Sequence, residues 1–325
     1  MSLQPRKFEI SWPSVSTLLW DGDELVDMTT KQKARFDGIV AKREWNMTYR
    51  FDRATGFRHR NAFWCAVYEN RGTKAVLIKN GAVHRELNRS YYCAGSYDYP
   101  ITIAADQAGR TVVAHCPQEF NLLEIEDAES GETLRKINSK DMEFHSRLGL
   151  SSDGRYLLDA GWFWHPWCGA CVFDLGLEPT GAPTPESVAF TSDIEVDCVA
   201  FLGQTRLVVS SSCDEPDGEV ASGNLGPRQL GIWSLANRKW ECKTDLGEPT
   251  GLIMPWNEWC VSFYGHPKLI ELATGRIVHR WDDIFSGRQV GPIQLGDPPP
   301  PPMALDPVGG RFAVASSTGV TVISL

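Results

Sequence analysis

The chain is predicted to be all-β, a single seven-bladed β-propeller of four-stranded antiparallel blades spanning residues 1–325. Three observations predict it. Short β-type runs ending in a small or acidic residue recur seven times, 37 to 60 residues apart with a mean spacing of 49.5. Helical periodicity is nearly absent, since no window of 12 or more residues spaces its apolar positions three and four apart. Tight-turn residues punctuate the chain at strand length. Four short strands repeating every ~40–50 residues are the mark of a propeller blade. One blade cannot bury both of its faces; a ring of blades buries them and removes most open sheet edges.

Taken in order, the seven runs are Leu25–Met28, Val76–Lys79, Ile125–Ala128, Val172–Leu175, Ile232–Leu235, Leu269–Leu272 and Val322–Leu325, each read as the third strand of its unit. A second-strand run stands upstream, often opened by a turn of Gly and a basic residue: Ala108-Gly109-Arg110, Asp153-Gly154-Arg155 and Gly309-Gly310-Arg311. First-strand runs precede those turns at Ile101–Ala105, Leu148–Ser151, Val199–Leu202 and Met303–Leu305. Downstream, Asn80-Gly81 offers two residues that accept positive φ, as a tight hairpin requires. Glu129–Gly131 and Ala273–Gly275 turn their units in the same way. Blade cores are therefore placed near 7–37, 60–87, 100–137, 146–178, 196–244, 250–281 and 303–325, with 38–62 the least legible stretch. The last unit ends on its third strand. Lys7–Trp12 alternates polar and apolar and is expected to supply the missing outer strand, closing the ring; the alternative makes it the innermost strand of the first blade.

On these units the chain resembles the WD-repeat and related bacterial propeller-repeat families over nearly its whole length. The resemblance is one of pattern. Trp233-Ser234 stands where the family's Trp-Asp would be, and the Trp-Asp and Gly-His signatures are otherwise largely missing, so the family's signature hydrogen-bond network is not implied.

Composition narrows the function classes. Hydrophobic residues at 42% and charged residues at 22% describe an ordinary globular protein. The longest stretches without a charged residue are 14 long, too short for a spanning helix of ~20, so no membrane partner is expected. Nine cysteines, an odd number without a small-scaffold pattern, and an N-terminus without a signal-peptide pattern point to a reducing, cytoplasmic setting. The net charge of −9 argues against a general nucleic-acid binder. Yet residues 31–89 hold 14 Lys/Arg against 5 Asp/Glu, a local +9 that leaves −18 elsewhere. An anionic partner on that basic sector is one expectation; a solvated face is the plainer one.

The sharpest local string is Phe163–Cys171, which looks like a thioredoxin Cys-x-x-Cys motif at Cys168 and Cys171. That chemistry needs a helix N-terminus to lower the first thiol's pKa. Here strand-like Val172–Leu175 follows, so the cysteines are placed in and just after a hairpin loop. No phosphate cradle, zincin motif or nucleophile elbow is present, and no cofactor is expected. His165 and His266 share a position between second and third strands, each followed by Pro.

The connections expected on that same face are the distinctive part. Residues 88–100 hold Tyr91, Tyr92, Tyr97 and Tyr99 among small residues, a mixture that supplies rigid contact area with adaptable hydrogen bonding. The 211–229 insertion carries Asp214, Glu215, Asp217 and Glu219, and Trp162, Trp164, Trp167 and Tyr264 lie near. Interface hot spots are enriched in Trp, Tyr and Arg; the plainer alternative packs these aromatics between blades. Pro298–Pro302 reads as a stiff spacer into the last blade, or as a polyproline rod for an aromatic groove. The leading expectation is a non-catalytic scaffold docking a protein or peptide on this rim. The runner-up is a metal-dependent hydrolase or lactonase-like enzyme, or a small-ligand binder, with carboxylates and His165 or His266 around a cation in the central channel.

Overall fold

The structure, a computed structural model, describes residues 4–325 apart from 37, 39, 42–46, 48, 139–142, 164–166, 177–193, 215–219, 222 and 294–297. Strand β1 (Arg6–Ile10) comes first, followed by a first blade of β2 (Leu19–Asp21), β3 (Glu24–Asp27) and β4 (Gln32–Ala34). The second blade is β5 (Arg53–His59), β6 (Ala62–Tyr68), β7 (Ala75–Lys79) and β8 (Ala82–Glu86). The third is β9 (Ile101–Ala105), β10 (Thr111–His115), β11 (Leu123–Asp127) and β12 (Thr133–Ile137). The fourth comprises β13 (Gly149–Leu150), β14 (Tyr156–Asp159) and β17 (Cys171–Asp174), with a small hairpin, β15 (Trp162–Phe163) and β16 (Trp167–Cys168), between the last two. The fifth is β18 (Val196–Leu202), β19 (Arg206–Ser211), β20 (Gln229–Ser234) and β21 (Lys239–Asp245). The sixth is β22 (Ile253–Trp256), β23 (Trp259–Ser262), β24 (Lys268–Glu271) and β25 (Ile277–Arg280). β26 (Met303–Asp306), β27 (Arg311–Ala315) and β28 (Val320–Ser324) build the seventh.

Every strand pair is antiparallel, and the seven sheets are the predicted blades; no helix occurs among the described residues. β1 pairs with β28 from Arg6↔Ser324 to Ile10↔Val320, so the N-terminal strand is the outer strand of the seventh blade, as expected. In the first blade the Ala34↔Val40 bridge extends the sheet outward past β4. Six of the seven repeating runs are third strands. Leu25–Met28 instead begins in β3, the second strand of its blade, because β2 is only three residues long and hid the true start of the unit. β5 lies in the stretch that read as illegible. Its sequence Arg-Ala-Thr-Gly-Phe-Arg-His is half-exposed throughout and has no apolar face to betray it.

The core lies between blades. Successive side chains of a strand point to opposite faces, so Leu157 packs toward the third blade while Leu158 packs toward the fifth. Val113 likewise faces the second blade, and Val112 and Ala114 the fourth. Seven such clusters fill the seven interfaces, including the closing one, where Ile10, Val320 and Val322 meet Leu18, Leu25 and Ala34. Each fully buried Val or Leu contributes about 1.5–3 kcal/mol.

The turns that looked like Gly plus a basic residue have a common cause. Gly109, Gly154 and Gly310 take positive φ (72°, 69° and 62°), and the arginine after each pairs with a neighbouring carboxylate. Arg110 Nε donates to Asp106 Oδ2 at 2.8 Å, Arg155 Nη2 to Asp174 Oδ2 at 2.7 Å, and Arg311 Nε to Asp306 Oδ2 at 2.7 Å. On the opposite face, polar latches tie the residue leading into a first strand to the end of the second. Thr17 Oγ1 donates to Asp27 Oδ1 at 2.9 Å, Asn70 N to Asp52 Oδ1 at 2.8 Å, and Ser262 Oγ to the Thr250 carbonyl at 2.8 Å. In the fourth blade the buried pair His145–Asp159 fills this role at 2.5 Å.

Candidate functional site

In this topology the second-to-third-strand turns and the blade-to-blade connections emerge on one face. The described residues of 87–100, 160–170, 212–228 and 263–267 therefore share it, as do those of 281–302, the connection from β25 to β26. That last segment crosses the ring. Ser286 Oγ donates to the Phe263 carbonyl at 2.6 Å in the sixth blade, and Gly265 bridges Gly287. Further on, Gln289 Nε2 donates to both oxygens of Asp98 at 3.1 Å, Ile293 bridges Tyr97, and Arg53 of the second blade donates to the Pro300 carbonyl at 2.7 Å. The mouth of the central channel on this face thus lies beneath a strap of the chain itself. Nothing in its sequence except the prolines and three glycines signalled that course.

A charged cluster anchors the strap. Arg147 Nε donates to Asp98 Oδ2 at 2.8 Å, and its other nitrogens donate to the carbonyls of Val290 (2.8 Å), Gly291 (2.5 Å) and Asp197 (3.3 Å). Arg71 sits 3.1 Å from Asp98 Oδ1. Burial pushes the Asp98 carboxyl up, but the Arg147 and Arg71 guanidiniums outweigh it and hold the group below its ordinary range. Arg89 is buried over the rings of Tyr97 and Tyr99, 4.6 Å from each, and donates to the Gly72, Ala94 and Tyr97 carbonyls.

The expected rim residues divide sharply. Tyr91 is 87% exposed, Tyr92 43% and Trp167 37%. Tyr97, Tyr99 and Trp162 are 0%, 3% and 5% exposed, which corrects their placement as contact residues. Tyr99 packs between the second and third blades, with its hydroxyl donating to the Leu87 carbonyl. Trp162 stacks on Phe144 at 4.0 Å and 10°, and Tyr97 meets both edge-on. Phe120 and Tyr92 continue the stack outward, 5.0 Å from Phe144 to Phe120 and 4.6 Å from Phe120 to Tyr92. An aromatic column therefore runs from a buried base to an exposed tip. Phe144 and Phe120 were missed because each is a lone aromatic in a polar connection.

Tyr264 and His266 are half-buried and structurally engaged. His266 Nδ1 donates to the Ile284 carbonyl at 2.9 Å, and Lys268 lies over the Tyr264 ring at 5.6 Å. Asp214 is exposed and bonded to Ser212. Trp164, His165, Glu215, Asp217 and Glu219 lie outside the described residues.

Cys168 is on the second arm of the β15–β16 hairpin and Cys171 begins β17. Burial, then the Glu195 carboxylate, pushes the Cys168 thiol up to about 12, opposite to what thiol–disulfide chemistry needs. Among the described residues no group of three or more His, Cys, Asp or Glu has the geometry to hold a metal ion, and no helix is long and apolar enough to cross a membrane.

Six of the sector's 14 Lys/Arg are met by carboxylates within the fold. Lys33 and Arg35 pair with Glu24, Arg58 with Asp21, Lys79 with Glu129, Arg85 with Glu126 and Arg71 with Asp98, all carboxylates from outside 31–89. Arg58–Asp21, Lys79–Glu129 and Arg85–Glu126 join neighbouring blades, and the anionic-partner expectation is left without support.

No protein-family model matches the chain, and no curated protein matches its sequence. Among solved structures, a chain in the crystal structure of the mitotic checkpoint complex is similar, with a TM-score of 0.57 at 11% identity over 98% of this chain and 91% of that one. At that identity the likeness is one of fold.

Proposed function

We propose that the protein is a non-catalytic scaffold that docks a protein or peptide on the face carrying Tyr91, Tyr92 and Trp167. The observation that carries this reading is the aromatic column: its tip, Tyr92, is presented to solvent on a base of Phe120, Phe144 and Trp162. Large, pre-ordered aromatic side chains are the residues on which interface affinity concentrates. The chain of the mitotic checkpoint complex, similar in fold, belongs to a protein assembly, which agrees with such a role. The strap over the channel mouth favours docking on the rim over a ligand reaching the channel from this side. No disulfide joins any of the nine cysteines, which supports a reducing compartment.

Affinity capture from the native host with wild-type and Tyr91→Ala/Tyr92→Ala protein tests the reading. Loss of specific co-purifying proteins from the variant is expected; an identical set would rule out this face.

A further inference from the structure

We propose that Pro298–Pro302 is itself a ligand: a polyproline II rod presented by the strap to a partner domain whose groove is lined with Tyr and Trp rings. This goes beyond the rim reading and does not depend on Tyr91, Tyr92 or Trp167.

The shape of the rod follows from covalent chemistry. Each proline fixes its own φ at about −65° and bars the residue before it from helical geometry. Five in succession form a left-handed helix with three residues per turn, a rise of about 3.1 Å per residue and no internal hydrogen bonds. Residues three apart share a ridge. Pro298 therefore lines up with Pro301 and Pro299 with Pro302, while Pro300 stands alone on the third ridge.

The fold grips that lone ridge. Gly287, at a φ of 91°, is bare where Pro300 lands: a Cβ there would stand 2.8 Å from Pro300 Cα and Cβ, closer than such atoms approach. Arg53 Nη2 donates to the Pro300 carbonyl at 2.7 Å, and the Ala315 N–H donates to that of Pro302 at 2.9 Å. These contacts carry the chain into β26 and account for Pro300 and Pro302. They do not account for the leading pair. Pro298 and Pro299 are exposed, Pro301 is half-buried, and no described residue donates to any of their three carbonyls.

An aromatic groove takes two ridges of such a rod and leaves the third outside it, which is the division found here. Proline rings pack against flat aromatic faces, and an indole N–H or phenol O–H in the groove donates to proline carbonyls. The rod is pre-ordered, so docking it costs little chain entropy. No Lys or Arg stands between Arg288 and Arg311, so the groove reads the prolines themselves and not a flanking cation.

The test titrates isotope-labelled SH3, WW and EVH1 domains, whose grooves have this chemistry, with the full-length protein and follows their groove resonances by NMR. Saturable binding to at least one domain is expected, with displacement by an oligoproline peptide. Pro298→Ala/Pro299→Ala should weaken that binding about tenfold while Tm stays within about 2 °C, because both sites are exposed. Tyr91→Ala/Tyr92→Ala should leave it unchanged, which separates this ligand from the rim. Four results would each overturn the proposal: binding to none of the domains, binding of a synthetic 294–305 peptide but not of the folded protein, undiminished binding in the proline variant, or loss of binding in the tyrosine variant.

Discussion

Arg147 Nε lies 2.8 Å from Asp98 Oδ2, and through this one contact the connection into the third blade, the connection into the fourth and the strap from the sixth are held together. Breaking one partner of a buried ion pair leaves the other charge stranded, at a cost of about 3–5 kcal/mol. Asp98→Asn should lose stability of that order in urea denaturation at pH 7. The folded carboxyl titrates below its unfolded value. Its contribution is therefore present above the ordinary carboxylate range and lost as pH falls through the folded value, so wild type and variant should converge in acid.

His145 obeys the opposite sign. Burial disfavours its protonated form, but the Asp159 carboxylate at 2.5 Å outweighs that and raises its pKa above the ordinary value. Stability from this pair is full below about pH 6.5, the unfolded value, and drains as pH rises through the folded one. Comparing wild type with His145→Gln at pH 6 and pH 9 should show a larger gap at pH 6.

Ring closure depends on β1. Removing residues 1–10 uncovers the edge of β28 and strips Ile10 from the closing interface. The truncated chain should melt at lower temperature and self-associate on size-exclusion chromatography, because an open strand edge templates pairing.

Exposure separates the tyrosines by energetics as well as by role. Tyr91→Ala should shift stability by no more than about 0.5 kcal/mol. Tyr97→Ala, at a fully buried site, should cost about 3–5 kcal/mol. Chemical denaturation of the two variants side by side reads the difference directly.

With its thiol pushed up to about 12, Cys168 should carry almost no thiolate at pH 8. Alkylation of the native protein by iodoacetamide, followed by peptide mapping, should label it more than ~100-fold more slowly than the unfolded chain. Rapid native labelling would revive a redox role for Cys168 and Cys171.

The architecture was legible because each blade interface is built from side chains alternating two by two, as in Val112–Ala114 and Leu157–Leu158, and because turn glycines mark the hairpins. What stayed hidden has physical reasons. β5 has no apolar face, and the three-residue β2 is too short to form a pattern. Tyr97 and Tyr99 sit in a segment whose composition suits an exposed loop, and only the strap and the adjoining blades, distant in sequence, bury them. The bulge at Asp197 interrupts a run of valines and alanine that otherwise reads as an unbroken strand.

The pairing of β1 with β28 also sets an order of events during synthesis. Once synthesised, β1 must wait for β28, separated from it by some 310 residues of sequence. At translation rates of ~5–20 residues per second that delay is roughly 15–60 s. Throughout it the nascent chain carries Phe8 and Ile10 without their final neighbours, and a chaperone that shelters this short strand would have its work there, on a propeller six-sevenths built.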